Sequence, residues 1–107
     1  MSQKLKDTIQ GKKLDRVNVE PDRDENGKIY ISERYLLELC QANGQYETPA
    51  LNNTLYLHYK GFTKIENLEA YENLTSLWLE CNGLSKIEGL DHHYKLKMLF
   101  LHQNTIT

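Results

Sequence analysis

The sequence predicts an α/β solenoid: a partial horseshoe with parallel strands on its concave face and a helical cap over its N-terminal end. Three observations predict it. Apolar residues recur at a fixed period of 22 residues through the second half of the chain. Each period opens on Leu-x-Leu, the two-residue alternation of a half-buried strand. A single capped helical pattern stands just before the first period.

The elements follow in order. Residues 1–28 hold 13 charged side chains, seven basic and six acidic, against six apolar ones: Met1, Leu5, Ile9, Leu14, Val17 and Val19. So little apolar surface cannot offset the entropy of ordering, and the stretch is expected to be a disordered N-terminal segment. Residues 29–50 are expected to form the cap, with a helix over about 32–41. Ser32 is a good N-cap, Ile31 and Leu36 are placed for a hydrophobic staple, and Leu36, Leu39 and Cys40 share one helical face. Asn43-Gly44 supplies the stop, and Thr48-Pro49 turns the chain into an extended path.

Residues 51–107 carry the repeat. Leu55, Leu77 and Leu99 correspond, as do Leu57, Leu79 and Leu101, and Phe62, Leu84 and Ile106. Ile65 pairs with Ile87, Leu68 with Leu90, and Leu74 with Leu96. Asn82 and Asn104 stand three residues after the second leucine. There an amide side chain can donate to and accept from the backbone of neighbouring turns. A unit of this kind has one apolar edge that it cannot bury alone. Stacking units hides that edge and lines up their strands. The pattern is that of a leucine-rich repeat, L-x-x-L-x-L-x-x-N-x-L. The first unit departs from it, with Lys60 at the asparagine position and Asn52 at the position of Leu74 and Leu96. Both departures suit an N-terminal repeat. The third unit stops after its strand, so two full units and one strand fall short of the three or so repeats such folds need. The expectation is a cut through a longer solenoid, with self-association through an open C-terminal sheet edge.

Composition removes several function classes. A formal net charge of −2 argues against general nucleic-acid binding. The longest apolar run is the four residues Met98–Leu101, so no membrane span is expected. The N-terminal stretch has no apolar h-region of a secretory signal. Cys40 and Cys81 are two cysteines in no zinc or redox spacing, which points to a reducing cytoplasmic compartment. No Gly-rich phosphate loop, nucleophile motif or helix with paired metal ligands is present, so no enzyme, cofactor or metal is expected. His92-His93 are adjacent, which does not suit one metal, and Cys81 shares the parity of the leucines, which predicts a small inward side chain.

If Leu55 and Leu57 point inward, the residues between them point outward. Tyr56, Trp78 and Phe100 then form a column of aromatics across adjacent strands, with His58, Glu80 and His102 beside it. Contiguous exposed aromatics mark interaction sites, and Tyr and Trp are enriched at hot spots, so these six residues are the candidate partner-binding face. Cross-strand pairing that only stabilises the sheet is the other reading. For the histidines beside Glu80, a solvated ion pair is expected.

One competing signal lies outside the repeat. Asp22, Asp24 and Asn26 followed by Gly27, Lys28, Ile29 and Glu33 fit the spacing of a calcium loop, which would make 22–33 an EF-hand-like, calcium-responsive module. Pro21 and the β-branched Val17 and Val19 argue against an entering helix, and a polar turn ahead of a capped helix needs only the same residue types.

The segments ETPALNNTLYLHYKGF (Glu47–Phe62), KIENLEAYENL (Lys64–Leu74) and LWLECNG (Leu77–Gly83) resemble the axonemal dynein assembly factors of the leucine-rich repeat class. SERYLLELCQANGQYETP (Ser32–Pro49) resembles the capping segment of that family. The resemblance covers about residues 30–107. It implies a non-enzymatic cytoplasmic protein of ciliated or flagellated cells, a scaffold for preassembly of dynein arms whose partners are arm subunits or co-chaperones. The 22-residue subtype also resembles phosphatase-regulating, spliceosomal and axonemal light-chain repeat proteins.

Overall fold

The computed structural model describes residues 19–107. Of the N-terminal segment expected to be disordered, residues 1–18 lie outside the described residues. The chain is mixed α/β. It runs β1 (Asp22–Arg23), β2 (Ile29–Tyr30), α1 (Glu33–Ala42), a short 3-10 turn (Pro49–Leu51), β3 (Thr54–Tyr56), β4 (Ser76–Trp78) and β5 (Met98–Phe100). β1 and β2 pair antiparallel, and β3, β4 and β5 form a parallel three-stranded sheet in that order.

The parallel sheet is built on the leucine parity. Leu55, Leu77 and Leu99 stand opposite one another in register, and so do Tyr56, Trp78 and Phe100. The leucines turn to one side and the aromatics to the other. Leu55, Leu57, Leu77 and Leu79 are fully buried in a core that also takes in Phe62, Ile65, Leu68, Tyr71, Leu74 and Leu84. Burying each such side chain is worth about 1.5–3 kcal/mol, so the leucine positions account for much of the fold's stability.

Two asparagines join the turns. Asn82 Oδ1 accepts from the backbone N–H of Lys60, Gly61 and Phe62 at 3.1, 2.8 and 3.0 Å. Its amide nitrogen donates to the carbonyls of Leu57 and Leu79 at 2.8 and 3.0 Å. Asn104 repeats part of this, accepting from Leu84 N–H and donating to Leu79 and Leu101. Backbone groups that leave the strands at these bends have no ladder partner, and the amide supplies one. Asn52, which breaks the repeat pattern, is buried and clamps Tyr46 by accepting from its N–H at 3.0 Å and donating to its carbonyl at 2.9 Å.

α1 starts where Ser32 Oγ accepts from Tyr35 N–H at 3.0 Å. It ends with Gly44 in the left-handed region, φ 74°. There Gly44 N–H donates to Gln41 O and Gln45 N–H to Cys40 O, the reciprocal pair of a Schellman stop. Tyr35, Leu36, Leu39 and Cys40 form its buried face. Tyr35 meets Phe62 edge-on at 5.6 Å, which docks the helix on the first turn of the repeat region.

The hairpin gives 22–33 the form of a polar turn ahead of a capped helix, the other reading of the same residues. Among the described residues no helix leads into the loop: Val19–Pro21 have no helical structure and Asp22 is already in β1. The would-be ligands are engaged by their own chain. The Asp22 carboxylate accepts from Ser32 Oγ at 2.5 Å and pairs with the Arg34 guanidinium at 2.8 Å. Asp24 Oδ1 closes the turn by accepting from the N–H groups of Asn26 and Lys28 at 2.9 and 3.0 Å. Among the described residues no group of three or more His, Cys, Asp or Glu side chains could hold a metal ion. The physical reason is simple: a cation, Arg34, already occupies the first acidic position.

Candidate protein-binding face

The face of the parallel sheet opposite the core carries the six residues singled out by the repeat. The in-register strands bring Tyr56, Trp78 and Phe100 into one column. Trp78 and Phe100 stack with centroids 4.2 Å apart and planes inclined by 26°. Tyr56 lies 6.1 Å from Trp78 at 34°. All three rings remain half-exposed, and Met98 beside them is 51% exposed. Stacked aromatic pairs contribute about 0.5–1.5 kcal/mol beyond their buried area, so the column stiffens the sheet while leaving apolar edge free.

The second column continues the register beyond the strand ends. Tyr59 N–H donates to Glu80 O, and Cys81 N–H donates to His102 O, both at 3.0 Å. His58, Glu80 and His102 therefore stand side by side. His58 sits 6.2 Å from Trp78 and 6.4 Å from Tyr56, so it joins the aromatic column to this row. His102 is exposed.

Glu80 is not the solvated partner that the sequence suggests. Only 7% of it is exposed, its Oε1 has no hydrogen-bond partner, and neither histidine forms an ion pair with it. His58 Nδ1 is likewise buried and without a partner. A buried carboxylate oxygen lacking a donor is costly. The sequence hides this because a Glu on an outward position reads as a solvated charge.

Cys81 also departs from its expected place. It is half-exposed, and its thiol contacts Gln103 Oε1 at 2.5 Å. Tyr59, Cys81 and Gln103, spaced 22 residues apart, all adopt φ between 57° and 59°. A left-handed residue ends the strand alternation at this point in each turn, so leucine parity stops before Cys81.

Half of the chain is similar to proteins of known name. A stretch of 56 residues is 52% identical to "Dynein axonemal assembly factor 1" of Rattus norvegicus, covering 52% of this chain and 9% of the relative. Over 42 residues it is 60% identical to the protein of the same name in Homo sapiens, covering 39% of this chain and 6% of the relative. Over 51 residues it is 51% identical to "Dynein axonemal assembly factor 1 homolog" of Drosophila erecta, covering 48% of this chain and 3% of the relative. Each match thus spans less than a tenth of the relative's length. No protein-family profile and no solved structure matches the chain.

Proposed function

We propose that this chain is a non-enzymatic, protein-binding part of a dynein axonemal assembly factor. In this reading the turns are units of a leucine-rich repeat solenoid and α1 is its N-terminal cap. It acts in the cytoplasm of ciliated or flagellated cells, where it holds dynein arm subunits or their co-chaperones during preassembly. The observation that carries the binding role is the Tyr56–Trp78–Phe100 column, stacked in register on the face that the core does not use. Rings already ordered by the sheet lose little freedom when a partner covers them, which favours recognition. The names of the relatives support the dynein setting. The 22-residue offset of the three parallel strands and the turn-joining amides of Asn82 and Asn104 support the repeat architecture.

Two measurements test this. Trp78→Ala should keep the helix and a cooperative melt, yet weaken capture of dynein arm subunits about ten-fold or more, as loss of a buried aromatic anchor does. Undiminished capture by the folded variant removes the binding face. Depletion in ciliated cells should strip outer or inner arms from axonemes. Intact arms after depletion reject the assembly role, whatever the sheet face binds.

A further inference from the structure

A basic cleft lies where the β1–β2 hairpin and the first two turns of the repeat region stack on one another. The hairpin rests on the first turn: a Cβ at Gly61 would lie 3.5 Å from Ile29 Cδ1, and Asn67 Nδ2 donates to Ile31 O at 2.7 Å. The first turn touches the second where Gly83 N–H donates to Phe62 O at 2.8 Å. Lys28, Lys64 and Lys86, from these three separate segments, line one cavity of about 520 Å³. Lys64 and Lys86 hold the same place in successive turns. Each directly follows a hydroxyl residue, Thr63 or Ser85, that also lines the cavity. Gly83 completes this wall. A Cβ there would lie 3.4 Å from Thr63 Cγ2, so a side chain at this position would narrow the gap between the turns.

The chain does not neutralise these cations. Among the described residues Lys28 and Lys64 form no ion pair. Glu88 is the one carboxylate in the lining, and it lies 3.8 Å from Lys86, whose side chain stays 70% exposed. The lining thus carries an excess of two positive charges in a chain whose net charge is −2. Like charges gathered around one concavity repel each other and focus a positive potential into it. The hydroxyls are an independent observation. Those of Thr54, Thr75 and Thr105 each donate to an acceptor of the chain, whereas those of Thr63 and Ser85 have no partner among the described residues. Three ammonium groups and two uncommitted hydroxyls therefore surround the same space.

We propose that this cleft binds an acidic peptide segment of a partner protein, laid across the turns. Successive turns set Lys64 and Lys86 one strand spacing apart, about 4.8 Å, while alternate side chains of an extended peptide fall about 6.6 Å apart on one side. Flexible lysine stems span that difference, and the Thr63 and Ser85 hydroxyls can donate to the same carboxylates. Nucleic acid fits less well, because no Arg or aromatic side chain lines the cleft to grip a phosphate bidentately or stack a base. The cleft shares no residue with the aromatic column, so either can fail without the other.

The test is the fluorescence anisotropy of a labelled alternating Glu-Gly peptide titrated with the chain. Binding is expected to saturate, to weaken as salt rises, and to shift the Gly83 and Ser85 amides in NMR spectra. The matching Gln-Gly peptide should not bind. Lys64→Gln with Lys86→Gln should weaken binding about five-fold, as loss of exposed ion pairs does. Lys95→Gln with Lys97→Gln removes the same charge outside the cleft and should weaken it by no more than about two-fold, because salt screens distant charges. All four lysines are exposed, so both variants should melt like the parent chain. Equal binding of the Gln-Gly peptide, an unsaturable response, or equal losses in the two double variants each overturns the proposal. Tighter binding of a labelled oligothymidylate than of the peptide also overturns it and makes the cleft a nucleic-acid contact.

Discussion

Residues 62–74 and 84–96 occupy the same places in the 22-residue pattern, yet they are packed differently. In the first segment Phe62, Ile65, Leu68, Tyr71 and Leu74 are all buried. In the second, Leu84 and His93 are buried, Leu90 and Leu96 are only partly so, and Ile87 is 53% exposed where its counterpart Ile65 is 1% exposed. The leucines of the strands divide the same way: Leu55 and Leu77 are fully buried, Leu99 only partly. The first segment lies between α1 on one side and the second turn on the other. A turn's apolar edge is thus closed by what stacks on it, and identical sequence positions acquire different energetic weight from their neighbours.

The largest effects should fall in the doubly covered region. Leu77→Ala, in the middle strand, should lower stability by about 3 kcal/mol or more, because a fully packed site cannot collapse around the cavity. Leu99→Ala should lower it by about 1–2 kcal/mol, since part of that side chain already meets water. Urea unfolding of both variants measures the gap. Equal losses would mean that the sheet's burial gradient has no energetic counterpart.

Next come the asparagines. Asn82 makes five backbone hydrogen bonds of 3.1 Å or less, Asn104 three. Asn82→Ala should destabilise by about 3 kcal/mol and Asn104→Ala by about 1–2, with each buried group left unpaired adding to the loss. Amide hydrogen exchange sharpens the comparison, since Lys60, Gly61 and Phe62 should lose protection only in the Asn82 variant.

These differences also mark what could be read in the sequence. Leucine parity, the Ser32 cap and the asparagine positions are legible because each follows from local spacing and one side chain's chemistry. The β1–β2 hairpin is not. Its strands have two residues each, and its acidic turn spells a calcium loop until Arg34, twelve residues from Asp22, is folded against it. The left-handed residues Tyr59, Cys81 and Gln103 are equally hidden, because none is a type that favours φ > 0. The six candidate binding residues could be named from alternation alone. The burial of Glu80 could not, since it depends on what flanks it across the sheet.

A close approach separates the two return segments again. Gly89 has φ 71°, and a Cβ there would lie 2.7 Å from Ile65 O. Its counterpart Asn67 reaches φ 63° with a side chain and uses it to donate to Ile31 O at 2.7 Å. Gly89→Ala should therefore destabilise by about 1–3 kcal/mol through strain and the clash with Ile65 O. Asn67→Gly should lose only about 1 kcal/mol, from one hydrogen bond. Thermal melts of the two variants place them in that order, and the reverse order would mean that the turns are not in close backbone contact at Gly89.

The smallest expected effect is confined to the capped end and is set by pH. The Arg34 guanidinium and the Ser32 hydroxyl hold the Asp22 carboxyl below the usual aspartate range. A folded value below the unfolded value of about 3.9 means that Asp22 stabilises the fold above that pH. The contribution is lost as pH falls through the lower, folded value. The stability difference between the parent chain and Asp22→Asn should accordingly be greatest above about pH 5 and shrink toward about pH 2. Hydrogen exchange should locate the loosening in β1, β2 and the first turn of α1, with β4 and β5 unchanged. A pH-independent difference would mean that Asp22 acts by shape and neutral hydrogen bonding to Ser32, and that the ion pair with Arg34 adds nothing to the cap.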